Sequence, residues 1–84
     1  METKDYIEMS RYYFHVIDTS AIVDTEGLEL PGIDDARAMA LRTAGDIISA
    51  EGDAFWNKGK WQLSVADAAG KICFSLDVSA TPPR

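Results

Sequence analysis

Residues 11–17, RYYFHVI, alternate across two faces and are rich in aromatic and β-branched side chains, which predicts a strand. Tyr12, Phe14 and Val16 fall on one face, and Tyr13, His15 and Ile17 on the other. Both faces carry apolar surface, as in a central strand or in one whose outer face meets a partner. Asp18-Thr19-Ser20 interrupts the run with side chains that bond their own backbone. A second strand is expected between Ile22 and Leu30. Asp24, Glu26 and Gly27 weaken it and suit it to a sheet edge, and Pro31-Gly32 ends it.

The period then changes. From Asp34 to about Glu51, Ala36, Ala40, Ala44, Ile47 and Ile48 recur at helical spacing, joined by Ile33 just before. Asp34 or Asp35 is the expected N-cap, and both carboxylates suit the positive end of the helix dipole. Alanines along the stripe let a helix approach a sheet closely, with Arg37 and Arg42 towards solvent. Gly45 weakens the helix interior and Gly52 is its expected stop. Phe55 to Gly59 reads as a loop. Two alternating strands follow, Lys60 to Asp67 and Lys71 to Val78, joined by an Asp67-Ala68-Ala69-Gly70 turn of hairpin length.

The order ββαββ predicts a two-layer α+β domain, one helix packed on a four-stranded, mainly antiparallel sheet. Strand order 2-1-3-4 makes every neighbour antiparallel. Trp61, Leu63, Val65, Ile72, Phe74 and Leu76 should face the helix, with Tyr12, Phe14 and Val16. Residues 1–8 are expected to be a flexible extension, residues 9–79 the domain and residues 80–84 a tail; Met9 could itself be a start.

Eighty-four residues allow one small domain, and a 46% hydrophobic, 26% charged composition is that of an ordinary globule. No apolar run reaches membrane-spanning length and no signal-peptide pattern appears, so a cytoplasmic protein is expected, with no membrane partner. The net charge of −6 is unevenly placed. Residues 1–35 carry nine acids and two bases, a net of −7, whereas residues 36–84 carry five acids and six bases, a net of +1. Such acidity opposes phosphate binding, so no nucleic-acid partner is expected. It keeps a small protein soluble and would steer a basic surface towards the acidic half.

Candidate chemistry is sparse. His15 is the single histidine and Cys73 the single cysteine, so neither a zinc site nor an internal disulfide is spelled out. Asp24, Glu26, Glu29, Asp34 and Asp35 do not follow calcium-loop spacing, and turn, edge and cap roles account for them. No phosphate-binding glycine loop, serine elbow or HExxH motif is present. Strand aromatics such as Tyr13 also occur on RNA-binding sheets, but the second helix of that module is missing. No catalytic residue, metal or cofactor is expected.

Met9-Ser10-Arg11-Tyr12-Tyr13-Phe14-His15-Val16 resembles the opening M-x-R-Y-[YF]-F-H-[VI] of a family of very small bacterial proteins, domain of unknown function 6894. The similarity continues through Asp24-x-Glu26-Gly27-x-Glu29-Leu30-Pro31 and through a helix beginning Asp35-Ala36-Arg37-Ala38. A final hairpin with Asp67 and Gly70 at its turn completes it, over residues 9–78. The Phe55-Trp56 segment departs from the pattern. The resemblance implies the domain limits and carries no activity, cofactor or partner.

The reading that follows is a non-catalytic protein-interaction or regulatory module. The alternative is a small ligand-binding protein or enzyme using His15 and nearby carboxylates. One helix covers one side of a sheet, which leaves Tyr13, His15 and Ile17 on the other as the candidate binding or interface residues. A homodimer through that face, or through a sheet edge, is expected.

Overall fold

The computed structural model of the chain describes residues 8–18 and 21–81. Most of the expected extension, residues 1–7, and the end of the expected tail, residues 82–84, lie outside the described residues. The elements run β1 (Ser10–Ile17), β2 (Ala21–Ile22), β3 (Leu28–Leu30), α1 (Ile33–Glu51), α2 (Asp53–Lys58), β4 (Lys60–Ala66) and β5 (Ile72–Ser79). The fold is α+β, an antiparallel sheet with one main helix on one face.

Sheet order is β2-β1-β4-β5, with β3 also paired to β1. The expected antiparallel order is therefore present, but the sheet has five strands rather than four. The segment expected as one second strand is divided: Ile22 pairs with Val16, Leu28 with Tyr12, and residues 23–27 leave the sheet between them. Gly27 sits at φ +73°, in the left-handed region. A Cβ there would lie 2.8 Å from the Arg11 side chain and 2.9 Å from the Tyr13 ring, so the bend needs a residue with no side chain.

Directly opposed residues share a face. One face carries Tyr12, Trp61, Leu63 and Val65, all buried, with Phe14, Val16, Phe74, Leu76 and Val78 packed beside them. Helix α1 lays Ala36, Ala40 and Ala44 against this layer, each at most 5% exposed. The alanine stripe thus has the role its spacing indicates. Ile33, by contrast, stands 43% exposed at the first turn and is not part of the buried stripe.

Three further local expectations are corrected. Gly32 is the N-cap of α1 and no side chain caps it; Asp34 and Asp35 are exposed in the first turn, where only their charge favours the helix. The presumed loop at Phe55 is the short helix α2, because Phe55 has a place to bury, edge-on to Trp61 at 6.4 Å between ring centroids. Ile72 does not face the helix. Val65 pairs with Phe74 and Ala66 with Ile72, so Cys73 is an extra residue in β5 and the bulge turns Ile72 to the outer face, 51% exposed. Ala80, the first residue of the expected tail, lies just past β5; its N–H donates to Gly59 O at 2.6 Å, and it packs on the core.

Gly45 is exposed inside α1, and a Cβ there would meet nothing within 4 Å. Gly45→Ala should therefore stabilise the protein by about 0.5–1 kcal/mol, the helix-propensity difference. Urea denaturation reads this directly. An unchanged or lowered midpoint would mean that the helix interior does not set stability here.

Candidate functional site

Tyr13, His15 and Ile17 do share the outer face, in rows with Ala66, Ser64 and Gln62 of β4. The structure employs them differently. Tyr13 and His15 are half-buried against the segment that separates β2 from β3, while Ile17 is 40% exposed at the far end.

The missing strand partner explains this segment. Between Ile22 and Leu28 the N–H of Phe14 has no opposing carbonyl, and the Asp24 carboxylate takes that place, accepting it at 3.1 Å. The same carboxylate accepts the N–H groups of Glu26 and Gly27, each at 3.0 Å. In return the Asp24 N–H donates to His15 Nδ1 at 3.0 Å, so in this arrangement the imidazole proton is on Nε2. Arg11 completes the clip, donating to Glu26 O and pairing with Glu29 at 2.9 Å. Partial burial raises the pKa of Asp24, but the N–H groups of Gly27, Phe14 and Glu26 lower it by more, to below its ordinary 3.8. These residues hold one another. The arrangement suits structure, with the histidine nitrogen nearest the carboxylate segment already occupied.

At the other end of the sheet, Ile17, Trp61 and Val78 wall a groove of about 420 Å³ with Lys58, Lys60 and Asp77 at its rim. Lys58 is held by Glu51 at 2.7 Å and Asp18 at 3.1 Å, and these carboxylates raise its pKa above the ordinary 10.5. Its charge is thus met internally.

A different surface is left open. Helix α1 packs chiefly on β4 and β3. Between α1 and β5 runs a groove of about 540 Å³, lined by Ile33, Arg37, Leu41, Phe74 and Leu76 over a floor at Ala40. Leu41 is 65% exposed on its wall. Beside it lies the outer edge of β5, a strand of eight residues paired to β4 alone among the described strands. The Ala80 N–H bond to Gly59 sets the phase of the β4–β5 ladder. In an antiparallel pair bonded and unbonded positions alternate, so Phe74, Leu76 and Val78 bond to β4. Ser75, Asp77 and Ser79 therefore turn their backbone N–H and C=O groups outward. They are exposed, and Asp77 accepts from Gln62 at 2.7 Å.

Sequence reading missed Ile33, Arg37 and Leu41 as surface candidates. Their signal was their spacing: they form an i, i+4 ridge one residue away from the alanine ridge. The expected site residues and the open surface are thus separate. His15 lines neither of these grooves, nor one of about 560 Å³ near Met9 and Asp67. Among the described residues no group of three or more His, Cys, Asp or Glu side chains is placed to hold a metal ion, and no helix is long and apolar enough to cross a membrane.

Residues 11–79 match the family model described as Domain of unknown function (DUF6894). No curated protein and no solved structure matches the chain.

Proposed function

We propose, for a chain that belongs to the Domain of unknown function (DUF6894) family, a non-catalytic role as a protein-interaction module. One observation carries this reading: the free edge of β5 lies beside the apolar groove under α1. An unpaired edge offers backbone hydrogen bonds to an incoming strand, and an adjacent groove accepts every second side chain of that strand. Ser75, Asp77 and Ser79 supply the backbone groups. Phe74, Leu76, Ile33 and Leu41 supply the apolar contacts. The matching partner is an extended segment with alternating apolar and small polar residues.

His15 as a ligand or catalytic group has less support. Its Nδ1 accepts from Asp24, and the Asp24 carboxylate is occupied by three N–H donors. Proton transfer by the Asp24 carboxylate would require dismantling the clip first, and of the His15 nitrogens Nδ1 is taken up by it.

The test is capture by the immobilised full chain from its native cell, wild type against Leu41→Asp. Leu41 is largely exposed, so the charge should leave folding intact while blocking the groove. A protein retained by wild type and lost by Leu41→Asp supports the reading. Identical retention by both chains overturns it.

A further inference from the structure

We infer that the segment added at the β5 edge is the β5 strand of a second copy, the two strands pairing antiparallel about a two-fold axis at Ser75. The inference rests on the reading of that edge as the binding surface and names its occupant.

The strand is self-complementary in this register. With Ser75 facing the partner's Ser75, Leu76 lies opposite the partner's Phe74, and Phe74 opposite the partner's Leu76. All four of these apolar side chains stand on the helix side of the sheet, where each groove is open. The outward backbone groups of Ser75 and Asp77 have the phase that an antiparallel partner needs. Asp77 is offset from the partner's Asp77 and faces the partner's Cys73, so the one acid on the edge meets no like charge.

Charge placement favours the same contact. Residues 8–32, which include β1, β2 and β3, carry five acids and one base, a net of −4. Residues 33–81, which form α1, α2 and the β4–β5 hairpin, carry seven acids and five bases, a net of −2, with Asp34 and Asp35 in the first turn of α1. Joining two β5 edges brings the less acidic sides together and leaves the more acidic edges farthest apart. Like-charge repulsion, which a net −6 on each chain would otherwise impose, is thereby reduced.

Geometry closes the assembly. A two-fold axis perpendicular to the sheet sets both α1 helices on the same face, so Leu41 and the partner's Leu41 flank one continuous apolar channel. The opposite sheet edge cannot serve as well, because β2 has two residues and β3 three, separated by the Asp24 segment. Pairing β5 with its copy consumes the long edge of each chain and leaves only these short ones exposed. That is a closed dimer with little tendency to extend.

Sedimentation equilibrium of the full chain at tens of micromolar, near neutral pH, tests the inference. The wild type should have about twice the 9.2 kDa chain mass. Ser75→Lys would set two ammonium groups face to face at the axis, and should raise the dissociation constant at least tenfold while leaving the monomer folded. Ser75→Cys in a Cys73→Ser background should form an inter-chain disulfide under mild oxidation, since facing residues in an antiparallel pair lie within disulfide reach. Asp77→Cys in the same background should not. A wild-type mass of one chain rejects the second copy; Leu41-dependent capture of another protein would then still uphold the strand-edge module. A dimer that Ser75→Lys does not weaken and Ser75→Cys does not cross-link overturns β5 pairing. Cross-linking through Asp77→Cys in preference to Ser75→Cys overturns the register.

Discussion

Leu63→Ala is expected to lower unfolding free energy by about 3 kcal/mol. Leu63 is fully buried on the central strand β4, between Val16 of β1 and Leu76 of β5 and within the layer that α1 covers. The loss combines the transfer energy of the missing methyl groups with the hole they leave. The alanines of α1 that cover this layer are too short to fill that hole. A chain of this length has a total stability of roughly 4–12 kcal/mol, so the variant loses a quarter of it or more. Urea denaturation of both proteins gives the difference. A loss below about 1 kcal/mol would mean that the sheet collapses around the vacancy.

Asp24→Ala should cost about 2–3 kcal/mol, although Asp24 lies outside the hydrophobic core. Its carboxylate accepts three backbone N–H groups, and hydrogen bonds to a charged acceptor are the stronger kind. Removing it leaves the Phe14 N–H facing a gap in the sheet and releases the segment that shields Tyr13 and His15. The effect should depend on pH. Asp24 has a folded-state pKa below its ordinary 3.8, so the unfolded chain binds the proton more readily. Its contribution is complete above the ordinary value and fades as pH falls through the lowered one. Denaturation of wild type and Asp24→Ala from about pH 6 to about pH 2 should therefore show a difference that is constant at first and then shrinks. A difference independent of pH would assign the loss to packing, and not to the charged carboxylate.

The clip also explains why the two stretches that carry the family resemblance occur in one chain. Arg11, Tyr13, Phe14 and His15 come from the first stretch, and Asp24, Glu26, Gly27 and Glu29 from the second. The structure joins them pairwise through Arg11–Glu29, Phe14–Asp24, His15–Asp24 and the close approach of Tyr13 to Gly27. Polar residues that look like candidate chemistry in sequence are here the means of closing an interrupted sheet edge. The open groove and the free β5 edge lie elsewhere, on side chains that carry no chemical signature of their own.

Periodicity along the chain determined the main elements: a strand at RYYFHVI, a helix ending at Gly52 and a terminal hairpin turning at Gly70. These follow from neighbour relations within a few residues, where alternation, alanine spacing and glycine conformations act directly. Antiparallel order was legible as well, since short connections limit the alternatives. Only tertiary structure decided the rest. The division of the second strand depends on a carboxylate reaching a partner ten residues back in the chain, and α2 forms because Trp61 gives Phe55 somewhere to bury. One extra residue at Cys73 reverses the face of Ile72. Whether β5 is covered depends on where the helix axis crosses the sheet, which no local pattern encodes. The open edge and its groove arise there, because a single helix drawn close by small alanines is too narrow to cover every strand beneath it.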